Sequence, residues 1–238
     1  MRVHHVKVRN SLMVTEPHKE KHSRLALIGM SGSGKTFWTR KLAAAGWKAV
    51  SCDDLIEKRL APRLAAGGYT GINGVAAWMG WPDSPTYAER EAEYLAEEIA
   101  VVDEFLNQLE TDAGGAPKAP IVLDTTGSVI YAQKNLLMRL RRQMTVVHLA
   151  STEREQQLLV ERYLNDPKPV LWRGAFHLQD QESSRETVAR CYPMLIAVRR
   201  KSYETLAHCA VNVAELREAD GGALEQFLKR IKEQVQHA

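Results

Sequence analysis

The sequence contains few cysteines and no long hydrophobic run. Cys52, Cys191 and Cys209 are scattered and show no CxxC or mixed His/Cys spacing, which argues against structural zinc and a disulfide framework. No apolar run approaches the roughly 18 residues of a membrane span, and residues 1–22 lack the apolar segment of a signal peptide. We therefore expect a reduced, cytoplasmic protein without a membrane partner.

Charge of one sign is also scarce, because the formal net charge is only +3 over 238 residues. Lys and Arg alternate with Glu along the predicted helices, which does not favour a phosphate-tracking groove, so no nucleic-acid partner is expected. The length fits one α/β domain with additions. We interpret residues 1–22 as an N-terminal tail without a predicted role and residues 23–238 as one domain. The protein is expected to be a monomer or a weak homodimer.

The order of apolar runs and helical patterns predicts an α/β fold. The run from Arg24 to Gly29 is typical of a buried strand of a parallel sheet. Further strands are predicted at 47–51, 121–124, 145–149 and 209–213. Helices are predicted at 35–45, 53–60, 87–110 and 134–142, after a capping box of Thr152 with Glu155, at 186–208 and from Ala223. The alternation predicts a five-stranded parallel sheet with helices on both faces, a three-layer sandwich. Residues 61–86 are interpreted as an irregular excursion, and residues 165–184 as a loop.

One motif carries a specific chemical prediction. The segment from Gly29 to Thr36 reads GMSGSGKT and fits GxxxxGK[ST] at each fixed position, between a predicted strand and a predicted helix. Backbone N–H groups in such a loop face phosphate oxygens, and the following helix adds its positive end. We therefore predict the P-loop NTPase fold with ATP and Mg²⁺ as ligands. The nucleotide-binding residues are Gly29, Ser31, Gly32, Ser33, Gly34, Lys35 and Thr36, with Lys35 on the β and γ phosphates and Thr36 on the metal.

Two adjacent carboxylates follow the second predicted strand. Asp53 and Asp54 stand at the carboxyl edge of the sheet, where open α/β sheets bind ligands. A carboxylate there can orient a substrate hydroxyl or accept its proton, or it can stabilise the first turn of a helix. Asp53 is the candidate catalytic residue, and which of the two works is left open at this point.

Several motifs in order resemble the shikimate kinase family, which belongs to the nucleoside-monophosphate-kinase-like P-loop kinases. The resemblance covers most of residues 25–213. Its pieces are the P-loop, the DDLIEKR segment from Asp53, the strand and turn of residues 122–130, the DPKPVL segment from Asp166, and the RRKSY segment from Arg199.

The resemblance implies roles for further residues. Arg162 would flank the adenine, and Lys168 would reach the phosphates from a mobile lid at residues 165–184. Asp53 and Gly127 would contact the acceptor, and Arg199 would pair with an anionic group on it. Closure of a cationic lid excludes water, so that the γ-phosphate reaches the acceptor rather than being hydrolysed.

The sequence departs from the family pattern near the acceptor. The family's triple glycine is Thr126-Gly127-Ser128 here, and its substrate-binding arginine aligns with Ala88. Arg90, on the next turn, is the candidate replacement. Loss of a carboxylate-clamping arginine predicts that shikimate is a poor substrate.

A further departure concerns the metal. An aspartate of the family pattern is replaced by Ser51, and we predict that Asp124, at the end of the third strand, takes over the magnesium role. The resulting hypothesis is a kinase that transfers the γ-phosphate of ATP to a hydroxyl of a small molecule, either shikimate or another metabolite. The alternatives are a regulatory nucleotide-binding protein with slow hydrolysis and a kinase of nucleic-acid ends.

Overall fold

The computed structural model of the protein describes residues 23–111, 119–212, 216 and 222–236. The predicted N-terminal tail lies outside the described residues, as does Val213, the predicted end of the last strand. Among the described residues, no helix combines the length and apolar character needed to cross a bilayer.

Five parallel strands form one sheet in the order β2-β3-β1-β4-β5, which confirms the predicted architecture. The strands are β1 (Arg24–Ile28), β2 (Lys48–Ser51), β3 (Ile121–Asp124), β4 (Thr145–Ala150) and β5 (Cys209–Asn212). The helices are α1 (Lys35–Ala44), α2 (Cys52–Ala66), α3 (Gly71–Met79), α4 (Tyr87–Thr111), α5 (Lys134–Gln143), α6 (Glu153–Asn165), α7 (Ser184–Leu206) and α8 (Ala223–Gln236), with a short 3₁₀ turn at Val129–Tyr131.

Alternate residues of the central strand enter two separate cores. Leu25 and Leu27 pack with the helices α1 and α8, where Trp38 stacks on Phe227 at a centroid distance of 4.3 Å. Ala26 and Ile28 belong to the larger core on the other face, with residues of α2 to α7. Because successive side chains of a strand point to opposite faces, this alternation gives the three layers directly.

The prediction of an irregular excursion at residues 61–86 is wrong. Helix α2 continues through Pro62 to Ala66, and α3 occupies Gly71–Met79. Proline removes one helical hydrogen bond, but Pro62 lies on the exposed side of α2, where water can satisfy the freed carbonyl. The buried stripe of Cys52, Ile56, Leu60 and Leu64, spaced by four, is the helical signal that the proline obscured.

The loop predicted at residues 165–184 is present between α6 and α7, since residues 166–183 contain no regular element. Both flanking helices begin with a capping box, at Thr152 with Glu155 and at Ser183 with Glu186. The box at Thr152 was predicted from sequence, and it fixes where α6 leaves the sheet edge.

Candidate active site

The P-loop is a tight turn whose glycines have little room for side chains. Gly29, Gly32 and Gly34 adopt positive φ angles of 145°, 80° and 100°. A Cβ at Gly29 would lie 3.0 Å from the Leu149 carbonyl oxygen, so the backbone conformation and the close packing both require glycine. The turn delivers the chain into α1, whose N-terminus faces the cavity described below.

Lys35 and Asp124 are both buried at this loop, and each affects the pKa of the other. Lys35 donates from Nζ to the carbonyl oxygens of Gly29 at 3.0 Å and Met30 at 3.1 Å. Burial lowers the pKa of Lys35, while Asp124 and Asp53 act in the opposite direction. Burial also raises the pKa of Asp124, against the effects of Lys35 and a hydrogen bond from Thr36. One Asp124 oxygen, Oδ1, is buried without a hydrogen-bond partner.

These features fit a magnesium ion held with nucleotide phosphates. Thr36 lines the cavity, and the Asp124 carboxylate beside it has one oxygen without a hydrogen-bond partner. Hydroxyl and carboxylate oxygens are the hard donors that Mg²⁺ prefers. The metal role of Thr36 and Asp124 stays a prediction that this geometry supports.

The structure separates the two candidate carboxylates. Asp53 is half-buried and lines the cavity, whereas Asp54 is exposed and its backbone N–H donates to Ser51 Oγ at 3.2 Å, capping α2. The Tyr94 hydroxyl donates to Asp53 Oδ1 at 3.1 Å. Burial and, less strongly, Asp124 raise the pKa of Asp53 to about 6, against the effects of Lys35 and the Tyr94 hydroxyl. A carboxylate with this pKa is suited to accept a proton near neutral pH.

Glu98 is a functional candidate that the sequence reasoning missed. It is fully buried, and its carboxyl group contacts the hydroxyls of Thr126 and Ser128, the latter at 2.7 Å. Burial raises the pKa of Glu98 to about 8. The two hydroxyl residues flank Gly127, so Glu98 fills space beside the turn where the family pattern has three glycines.

One face of α4 provides these contacts. Tyr87, Glu91, Tyr94 and Glu98 recur at spacings of four, three and four, and all four are buried. Acidic and phenolic side chains at a helical core period were a readable signal, because such groups are rarely buried without a specific partner. Ala88 is exposed on another face of the helix and does not line the cavity.

The surroundings of Gly127 leave little room for a side chain at the centre of the 126–128 turn. A Cβ there would lie 3.2 Å from the backbone nitrogen of Ser31 in the P-loop. Its carbonyl oxygen accepts hydrogen bonds from the Arg199 guanidinium at 3.2 Å and from the Tyr203 hydroxyl. The turn is therefore held between the P-loop and α7. Gly127 lines the cavity, and its contact with an acceptor stays a prediction.

Arg199 is buried behind the cavity and does not line it. Its side chain is 1% exposed, and it also donates to the Tyr131 hydroxyl at 3.2 Å and to the Leu171 carbonyl. It is not among the side chains that line the cavity. In this arrangement Arg199 joins the 125–128 turn to the loop after α6, and contact with an acceptor stays a prediction.

Arg90 is likewise turned away from the cavity. Its guanidinium donates to the Trp78 carbonyl oxygen and lies 5.6 Å from the centre of the Trp78 ring. It is absent from the cavity lining, so this structure does not bring it to the proposed acceptor.

A single cavity of about 650 Å³ joins the P-loop, Asp53 and the lid. Arg162 lines it and approaches the Gly32 carbonyl oxygen at 3.4 Å, above the P-loop. Lys168 lines it too, but its amine contacts Asn73 and the Asp166 carboxylate, the latter at 2.8 Å. The volume is within the range of small-molecule sites.

Comparison with known proteins agrees with this architecture. A family described as AAA domain matches residues 25–170. A shikimate kinase from Acinetobacter baumannii, solved in complex with shikimate, has a TM-score of 0.50 and 20% identity, over 90% of this chain and 92% of that chain. A shikimate kinase from Bacteroides thetaiotaomicron has a TM-score of 0.47 and 17% identity, over 90% of this chain and 98% of that chain. A search of curated protein sequences found no match.

The family match spans more than half of the chain, and the first structural match supports the fold independently of the P-loop motif. The chain therefore belongs to the AAA domain family, with a P-loop kinase fold like that of the shikimate kinases.

Proposed function

We propose that the protein is an ATP-dependent phosphotransferase that moves the γ-phosphate of ATP to a hydroxyl group of a small molecule. The observation that carries this proposal is that Lys35 of the phosphate loop and the carboxylate Asp53 line the same cavity. A phosphate-binding loop alone would equally serve a switch protein. A carboxylate of raised pKa that faces the phosphate site supplies what a transferase also needs, a base for the acceptor.

The residues divide into groups with distinct tasks. The backbone of Gly29 to Gly34 would hold the phosphates, and Lys35 would exchange its two backbone carbonyl partners for phosphate oxygens. Thr36 and Asp124 would hold the magnesium, which supplies charge neutralisation to the phosphates when bound. Arg162, already over the P-loop, would flank the base of the nucleotide.

Asp53 would take the proton of the acceptor hydroxyl. As that O–H bond breaks, the acceptor oxygen bonds to the γ-phosphorus, and the bond to the oxygen shared with the β-phosphate breaks, releasing ADP. Tyr94 holds Asp53 in place through its hydroxyl. Lys168 would leave Asn73 and Asp166 to reach the phosphates, an exchange of half-buried and exposed polar contacts that costs little.

The test is ADP release from ATP and Mg²⁺ over a panel of polyols, hydroxy acids and nucleosides, with the phosphorylated product identified by mass. Lys35→Ala should lower turnover by roughly 100-fold or more, as the loss of a preorganised charge at the reacting phosphate does. Lys58→Ala, which removes an exposed lysine of α2, is the matched control. Unchanged turnover in a folded Lys35→Ala protein would contradict the proposal.

A further inference from the structure

We propose that the acceptor is an alcohol without an anionic group, and that its non-reacting part occupies a second cavity, between α3 and residues 166–170. The inference rests on the proposed function, because it treats the second cavity as an extension of the acceptor end of the first. It names the chemical class of the substrate and a binding subsite for it.

The second cavity has a volume of about 370 Å³ and a mostly apolar wall. Ala76, Ala77, Met79 and Trp81 lie on one side and prolines of the 166–170 segment on the other. Of the described side chains that line it, only Asp166 and Lys168 are charged. A cavity of this size with a mostly apolar wall favours a substrate group with hydrophobic surface.

The two cavities meet at a polar contact. Tyr163, Asp166, Lys168 and Pro169 line both of them. At this boundary Lys168 Nζ lies 2.8 Å from Asp166 and also contacts Asn73, whose amide donates to Asp166 at 3.2 Å. When Lys168 moves to the phosphates, the boundary loses its central side chain. The two cavities then form one continuous site.

Among the residues that the structure describes, no arginine near the acceptor end of the cavity is without a partner in the protein. Arg199 donates to two backbone carbonyl groups and a tyrosine, Arg90 donates to a carbonyl, and Arg173 lies 3.7 Å from the buried Glu91 carboxylate. A carboxylate or phosphate on the acceptor would therefore lack the charge-assisted, bidentate partner that normally recognises such groups.

The charged groups around the acceptor end favour the opposite kind of substrate. Asp53 and Asp166 line the first cavity. The cations that line it, Lys35, Arg162 and Lys168, are the ones that we assign to the nucleotide. Once they are engaged, carboxylates remain beside the acceptor, and they repel an anion.

Aromatic side chains complete the description of the subsite. Tyr163 stacks on Tyr192 at a centroid distance of 4.8 Å, and Trp81 packs edge-on to Tyr163 at 6.1 Å. Ring faces and edges at the junction bind apolar, ring-shaped or cationic groups. A neutral or cationic alcohol with such a group satisfies both the charge and the shape of the site.

The substrate class is tested with matched scaffolds. Each hydroxylated scaffold, including shikimate, is supplied as its carboxylate, its carboxamide and its aminomethyl analogue, and ADP release is measured with ATP and Mg²⁺. We expect kcat/KM to be at least about 10-fold higher for the neutral or cationic member. A carboxylate that binds without a charge-assisted partner should lose more than about 1.4 kcal/mol, which corresponds to this factor. A preference for the carboxylate would overturn the inference and leave the phosphotransferase intact. Transfer to no member would overturn both.

The subsite is tested by filling it. Ala77→Phe places a ring in the second cavity from an exposed position of α3, and Ala96→Phe makes the same change at an exposed position of α4 that lines neither cavity. For the accepted compound with the largest non-reacting group, Ala77→Phe should raise KM for the acceptor about 10-fold and leave KM for ATP unchanged. Equal acceptor KM values in the two variants would overturn the assignment of the second cavity.

Discussion

Ser51 lies directly beside Asp124 in the parallel pairing of β2 and β3. The serine that stands in place of an aspartate of the family pattern is thus the strand neighbour of the aspartate that we assign to magnesium. Ser51 Oγ accepts a hydrogen bond from the backbone of Asp54 and caps α2, while Asp124 keeps a buried oxygen without a partner. Of these two paired positions, one caps a helix, and the other has the carboxylate oxygen that we predict to bind the metal.

The first prediction follows from this pairing. Asp124→Asn should raise the magnesium concentration needed for half-maximal turnover by roughly 10-fold or more, because a neutral amide is a weaker ligand than a carboxylate. Asp53→Asn should instead lower the transfer rate with a nearly unchanged magnesium requirement. Magnesium titrations of both variants at saturating ATP make the comparison. A wild-type titration for Asp124→Asn would return the metal role to Asp53 or Asp54.

The second prediction concerns pH. The pKa of Asp53 is raised to about 6, so turnover that needs its ionised form should fall as the pH drops through about 6. The Tyr94 hydroxyl stabilises the ionised form, and Tyr94→Phe should therefore move the acidic limb of the kcat/KM profile to higher pH, by about half a unit to one unit. Tyr69→Phe, a change outside the cavity lining, serves as the control. A limb that does not move in Tyr94→Phe contradicts the assignment of Asp53 as the base.

Sequence reasoning was accurate where local pattern determines structure. The P-loop, the strand β3 and the capping box at Thr152 follow from residues close together in the chain, and each is present where predicted. The environments of Glu98 and Arg199 depend on segments that approach from about 28 to 72 residues away. The helical period of α4 shows that the Glu98 side chain faces the core, but only the tertiary packing shows which hydroxyl groups donate to it.

The third prediction uses the buried Glu98 carboxyl group. Its pKa is raised from an ordinary value near 4.5 to about 8, so the protonated form is favoured in the folded protein. The stability associated with this group is fully present below the unfolded pKa and is lost as the pH rises towards 8. Glu98→Gln resembles the protonated form and should gain stability relative to the wild type as the pH rises from 5 to 9.

Thermal melting of Glu98→Gln and the wild type at several pH values tests this. We expect the difference in Tm, variant minus wild type, to increase by roughly 4–8 °C over the range, as about 2 kcal/mol would produce in a protein of this size. Glu97→Gln, a change at the adjacent, half-buried position of α4, is the control. A difference that does not depend on pH would show that Glu98 is ionised throughout.

The fourth prediction concerns residues 165–184, the predicted lid, in which a short buried segment separates two more exposed parts. Val170, Leu171 and Trp172 are buried in the main core. The Trp172 N–H donates to the Tyr87 hydroxyl at 3.0 Å, and that hydroxyl donates to the Val170 carbonyl at 2.7 Å. Residues 166–169, with Lys168, and residues 174–183 lie on either side of this anchor. We therefore predict that closure over a nucleotide pivots on residues 170–172.

Hydrogen exchange with and without nucleotide and acceptor measures this division. The backbone amide of Trp172 should exchange slowly in both states, because its hydrogen bond to Tyr87 is buried, whereas the amide of Lys168, which stands between two prolines, should become protected only when both ligands are bound. Tyr87→Phe removes the hydroxyl oxygen to which the Trp172 amide donates. It should therefore speed hydrogen exchange at Trp172 by about 10-fold, since a lost buried hydrogen bond is worth roughly 1–2 kcal/mol. The substitution should also raise KM for ATP, because residues 170–172, from which Lys168 extends to the phosphates, would be held less firmly. Strong protection of the Lys168 amide in the free protein would show that this segment is rigid and that Lys168 does not exchange partners.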